Sequence, residues 1–206
     1  MLRWIRSSSS LCLLAFMAFG LVLPARGDFI LFDDERSFLD ALGGADLELD
    51  EFSDLVDGYY ADPIRRWVDD PSEYTISSTS IVGLSAGLGQ VTTVLPKSMI
   101  SLESSSQSFR AMGANFAITD FAGNPITGQM RILLQDGESV TWNIEGGETF
   151  VGVIGVDESV MSLTVGAATN APLVTATGVL IASVPAPAAW PLVLLPVVGI
   201  SRRRRA

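Results

Sequence analysis

The sequence predicts an all-β protein: an antiparallel, jelly-roll-like β-sandwich with one short helix near its N-terminus, flanked by an apolar segment at each end. Three observations carry that expectation. Short runs of alternating apolar and polar residues, bounded by Gly, Asn, Asp and Pro, recur at roughly ten-residue spacing. Helical periodicity is convincing in one place only. The stretch between the flanks, residues 28–183, is also long enough to bury a core without cross-links.

The N-terminal flank, residues 1–27, reads as a signal peptide. Arg3 and Arg6 precede a nearly unbroken apolar run from Leu11 to Leu23, and Ala25-Arg26-Gly27 offers small residues where signal peptidase cuts, leaving Asp28 first in the mature chain. The run is short for a membrane span, and no stop-transfer pattern follows it; an uncleaved anchor is the rival reading. Cys12, the one cysteine of the chain, lies inside this run, so the mature body is expected to fold without disulfides.

The helix comes next. Asp34 is placed to cap a short helix over Glu35 to Leu42, with Phe38, Leu39 and Leu42 on one face and Gly43-Gly44 as the stop. Strands follow. Leu47 and Leu49 alternate with Asp46, Glu48 and Asp50; Tyr74 to Val82 is rich in β-branched and small polar residues; Val91 to Val94 and Met99 to Leu102 succeed turn residues. From Phe109 the pattern sharpens, with Met112, Ala114, Phe116 and Ile118 on one face and Ala122-Gly123-Asn124-Pro125 as a reversal. Met130 to Gln135 runs into the hairpin signal Asp136-Gly137, and Val140, Trp142 and Ile144 alternate after it, which places Trp142 on the core side. Gly146-Gly147 turns the chain again before Phe150 to Ile154, Val160 to Val165 and Leu173 to Ile181.

Charge narrows the function. Residues 28–183 hold all 23 acidic residues and six basic ones, a net of −17, which excludes a nucleic-acid partner held through its phosphates. With no His in the chain, the commonest general base and metal ligand is missing. Gly83-Leu84-Ser85-Ala86-Gly87 matches the Gly-x-Ser-x-Gly nucleophile elbow, but with no His and no following helix it reads as a small-residue turn. Lys97, the one lysine, follows Leu95-Pro96 with no Gly-rich loop, so no phosphate cradle is present. Paired carboxylates remain open to glycoside hydrolysis, yet no pair stands out, and no enzymatic activity is expected.

Fifteen acids fall between Asp28 and Glu73. Asp46, Glu48 and Asp50, at alternate positions of one strand, direct their oxygens to one side, and oxygen donors without nitrogen or sulfur suit a structural calcium ion. Asp54, Asp57, Asp62, Asp69 and Asp70 are assigned to loops nearby, and a solvated acidic face is the plainer reading of the whole segment. Tyr59, Tyr60 and Trp67 share this stretch outside any alternating run; rings on loops could stack on sugar faces, with core or loop packing as the alternative.

The C-terminal flank, residues 184–206, has three parts: Val184-Pro185-Ala186-Pro187, an apolar stretch ending at Ile200, and the cluster Arg202-Arg203-Arg204-Arg205. A hinge, a marginal membrane segment and a basic stop hold a chain across the inner membrane with its body outside. These residues resemble the PEP-CTERM sorting signal, with Ala186 where that family usually has Glu. The resemblance implies a transmembrane sorting helix, recognition by exosortase, a membrane-embedded protease, and transfer of the body to the cell surface or extracellular matrix of an exopolysaccharide-making cell. The rival reading is a permanent single-pass anchor. Phe109 to Val165 also resembles, more loosely, the bodies of many such proteins. The sequence therefore leads to a non-enzymatic exported surface or matrix protein, partnered by signal peptidase, exosortase and transiently the inner membrane. The alternative is a carbohydrate-binding module acting on exopolysaccharide.

Overall fold

A computed structural model describes residues 29–183 apart from 70–71, 106–108, 157–158 and 169–171. The two flanks, residues 1–27 and 184–206, lie outside the described residues. Within them the chain forms β1 (Phe29–Phe32), α1 (Glu35–Leu42), β2 (Leu47–Asp50), β3 (Gly58–Tyr60), β4 (Ile64–Asp69), β5 (Ser72–Ser78), β6 (Leu84–Gly87) and β7 (Gln90–Thr93). It continues with β8 (Met99–Ser104), β9 (Phe109–Thr119), β10 (Thr127–Leu134), β11 (Ser139–Glu145), β12 (Thr149–Gly155), β13 (Ser162–Ala167) and β14 (Leu173–Ser183).

The strands make two antiparallel sheets. The larger runs β1-β12-β9-β14-β7-β6-β3, with β2 also paired to β14; the smaller runs β11-β10-β13-β8-β5-β4. Alternation decides which side chains meet between them. Met112, Ala114, Phe116 and Ile118 of β9 face inward, as their spacing predicts, against Ile100 and Leu102 of β8 and Met130 and Ile132 of β10 in one continuous core. Trp142 packs partly buried against that core.

The helix forms where the sequence places it. Asp34, in extended backbone, accepts the Ser37 N–H at 2.8 Å, and Gly43 closes the helix at φ 61°. Its apolar face covers the outer side of the larger sheet, where Phe38 meets Phe150 at 5.1 Å between ring centroids and Phe32 edge-on at 5.7 Å. Glycine makes that approach possible. Gly113 and Gly152 sit opposite each other on β9 and β12, and a Cβ on Gly152 would lie 2.6 Å from atoms of both the Phe150 and Phe38 rings. The outer face of the larger sheet is thus roofed over β1, β12 and β9.

Strand β2 runs against expectation. Leu47 and Leu49 point outward, whereas Asp50 is buried. The reason is a polar cluster at its inner side: Arg66 on β4 grips the Asp50 carboxylate through Nε at 2.7 Å and Nη2 at 2.6 Å, and Tyr74 on β5 donates its hydroxyl at 2.6 Å. The Phe52 N–H donates to the same carboxylate at 3.0 Å, holding Phe52 at φ 56°, and the guanidinium lies 5.9 Å from the Phe52 ring centroid. Arg66 also binds the exposed Asp54.

Candidate functional site

A cleft opens beside α1 because of how β14 is partnered. Along one edge this strand pairs first with β7, as far as Thr177 opposite Gln90, and then with β2, beginning at Val179 opposite Asp50. Between the two partners lies Gly178, at φ 61°, where the register with β9 slips by one residue. Such a bulge bends the strand and leaves backbone exposed. On the other edge Thr177 stands opposite Asn115 of β9, which stands opposite Phe150 of β12. One row across the outer face therefore reads Gln90, Thr177, Asn115, Phe150.

The resulting cleft has a volume of about 300 Å³ and is bounded by Asn115, Thr177, Phe150, Leu49, Leu180 and the backbone at Gly89 and Gly178, with Glu35 from α1 and Glu51 after β2 on its walls. The Asn115 amide makes no side-chain hydrogen bond within the described residues and offers both donors and an acceptor. Phe150 and the leucines supply apolar wall. A second row lies alongside: Tyr59, Ser85, Thr92 and Thr175 face each other on successive strands, with the Thr92 and Thr175 hydroxyls 3.0 Å apart.

The residues singled out in the sequence are distributed differently from the expectation. Tyr59 and Tyr60 belong to edge strand β3 and Trp67 to edge strand β4, which correct their assignment to loops; Asp69 likewise lies within β4. Tyr59 and Trp67 are exposed, at 55% and 67%, on edge strands of different sheets. Tyr60 turns inward against the core and donates its hydroxyl to the Val56 carbonyl. Of the three acids proposed for calcium, Asp46 is exposed, Glu48 half-buried and Asp50 committed to Arg66, Tyr74 and the Phe52 N–H. Among the described residues, no group of three or more acidic side chains is arranged to hold a metal ion. The run Gly83 to Gly87 is strand β6 preceded by a turn at Gly83, whose Cβ position is filled by the Tyr60 carbonyl, and Ser85 sits on the strand with no elbow beneath it. Val184, Pro185, Ala186, Pro187 and Arg202 to Arg205 lie outside the described residues, and among those described no helix is long and apolar enough to cross a membrane.

Electrostatics at Asp50 combine opposing effects. Burial pushes its carboxyl up, and the hydrogen bonds from Arg66, Tyr74 and the Phe52 N–H outweigh burial, holding it below the usual carboxylate range. Burial and then the Asp50 charge push the Tyr74 phenol far above its ordinary value, so it remains a donor.

No family model matches the chain, and no curated protein matches it in sequence. Among solved structures it is similar to a variant of the family 29 carbohydrate-binding module CBM29-2, at 15% identity and TM-score 0.38 over 67% of this chain and 92% of that one. It is likewise similar to another structure of a family 29 carbohydrate-binding module, at 15% identity and TM-score 0.35 over 66% of this chain and 88% of that one. A third is a family two carbohydrate esterase from Cellvibrio japonicus, at 12% identity and TM-score 0.37 over 69% of this chain and 36% of that one.

Proposed function

We propose that the sandwich, its chain alternating between the sheets in jelly-roll fashion, is a non-catalytic saccharide-binding module of an exported surface or matrix protein, and that the cleft beside α1 is its binding site. The lining of that cleft carries the reading. A sugar presents apolar C–H faces and a rim of hydroxyls that both donate and accept; here Leu49 and Leu180, beside the buried Phe150, meet the first need, and Asn115, Thr177, Glu35 and Glu51 the second. Tyr59, three strands from Thr175 along the same outer face, stands about 14 Å away, a reach that suits an oligomer rather than a single sugar. Delivery is assigned to the flanks: the signal peptide, then the exosortase-type signal at residues 184–206, in keeping with their sequence patterns.

The test is a glycan array probed with the full-length protein in detergent micelles, repeated with Asn115→Ala. The native chain is expected to bind a subset of polysaccharides, and the variant to bind the same subset about tenfold more weakly at unchanged melting temperature. Failure of the native chain to bind any glycan, or equal binding by the variant, overturns the assignment. Release of reducing ends from a bound polysaccharide would overturn its non-catalytic part.

A further inference from the structure

We infer that the cleft selects an amine-bearing, cationic glycan, of the kind given by hexosamine units without their acetyl groups, over neutral and uronate polymers; this rests on the reading of the cleft as a saccharide site. The observation is what faces the cleft. Glu35 reaches it from the first turn of α1 and Glu51 from the segment after β2, so two independent elements bring an acidic residue to the same opening. Neither is ion-paired within the described residues, where Arg66 takes Asp50 and Asp54 instead. No Lys or Arg lines the cleft. Arg36 follows Glu35 on α1 but stands about 100° round the helix from it.

A ligand entering between those carboxylates strips part of their water. A hydroxyl returns one neutral-donor hydrogen bond, whereas an ammonium returns a charge and up to three donors, which the carboxylates and the Asn115 carbonyl can accept. A uronate meets carboxylates of its own sign, inside a body whose net charge of −17 already repels it. The same arrangement that leaves a neutral sugar tolerable therefore makes an amino sugar favoured and an acidic one excluded.

The experiment is titration calorimetry on the full-length protein in neutral detergent with three probes: hexamers of glucosamine, of N-acetylglucosamine and of galacturonic acid. The glucosamine hexamer is expected to bind about tenfold more tightly than its acetylated form, with the uronate undetected. That advantage should shrink as salt rises from about 20 mM to about 300 mM. In the double variant Glu35→Gln, Glu51→Gln the ratio between the two hexosamine probes should fall towards one. Equal binding of the acetylated or uronate hexamer by the native chain overturns the charge selection while leaving a saccharide site in place. A ratio that survives in the double variant also overturns it, because selection would then come from the protein's overall field. If none of the probes and no glycan on the array binds, the saccharide reading itself falls.

Discussion

Asp50→Ala is the most informative single perturbation of the fold. Asp50 is 8% exposed and accepts from four donors: two nitrogens of Arg66, the Tyr74 hydroxyl and the Phe52 N–H. Deleting the carboxylate strands a fully buried phenol and a largely buried guanidinium whose remaining partner, Asp54, is 70% exposed. Breaking a buried ion pair from one side costs about 3–5 kcal/mol, a large part of the roughly 5–15 kcal/mol that holds a domain folded. Urea titration followed by fluorescence should show the midpoint falling with the slope unchanged. Tyr74→Phe should cost less, about 1–2 kcal/mol, and the double variant should cost less than the two losses added together, because both remove one network. The depressed Asp50 carboxyl fixes the acid behaviour: its contribution is fully present above the unfolded carboxylate value near pH 4 and is lost as pH falls through the lower folded value. The raised Tyr74 phenol gives the opposite limb, full below about pH 10 and lost above it as the unfolded chain ionises. If Asp50→Ala unfolds within about 1 kcal/mol of the native chain, or keeps the same acid limb, the reasoning is wrong.

Gly152→Ala should destabilise by about 1–3 kcal/mol and loosen α1, because its methyl would enter the space of the Phe150 and Phe38 rings; thermal unfolding checks the first and hydrogen exchange over Glu35–Leu42 the second. Leu88→Asn should stabilise by up to about 1 kcal/mol, since Leu88 is 91% exposed and holds φ 56° in the β6–β7 hairpin, where Asn is better tolerated. Intact mass of the protein recovered from its own cells should show a chain ending before Ala206. Replacing Arg202 to Arg205 by neutral residues should instead release uncut protein past the membrane.

The helix and the second half of the sandwich are legible in the sequence because their signals are local. Asp34 and Gly43 bracket the helix within a few residues, and Asp136-Gly137 pins β10 to β11 directly. Strands β4 and β6 pair with the next strand, but Ile64-Arg65-Arg66-Trp67-Val68-Asp69 and Leu84-Ser85-Ala86-Gly87 carry no clean apolar alternation. Strands β1 and β3 escape notice because each is short and pairs far along the chain, as when Phe29 pairs with Gly155. The inversion of β2 is hidden for the same reason: Asp50 turns inward to meet Arg66 and Tyr74, 16 and 24 residues later. The cleft is the least legible feature, since it exists only where β2 and β7 meet along β14. One residue hints at it. Gly178 interrupts an otherwise continuous run of strand formers, which is how a bulge announces itself in a sequence.

The placement of β14 also has a mechanical side. Ile30 faces Ile154, which faces Ala111, which faces Ala182, so β1 begins and β14 ends at the same pole of the sandwich, about 14 Å apart. β14 is an interior strand of 11 residues, laced to β9 on one edge and to β7 and β2 on the other. A pull applied at Ser183 along the strand would load those ladders together, in shear, where an edge strand would peel one bond at a time. A module fixed to a surface through the chain that follows Ser183 would accordingly carry its load through its strongest strand, with the cleft several residues inward from the point of attachment.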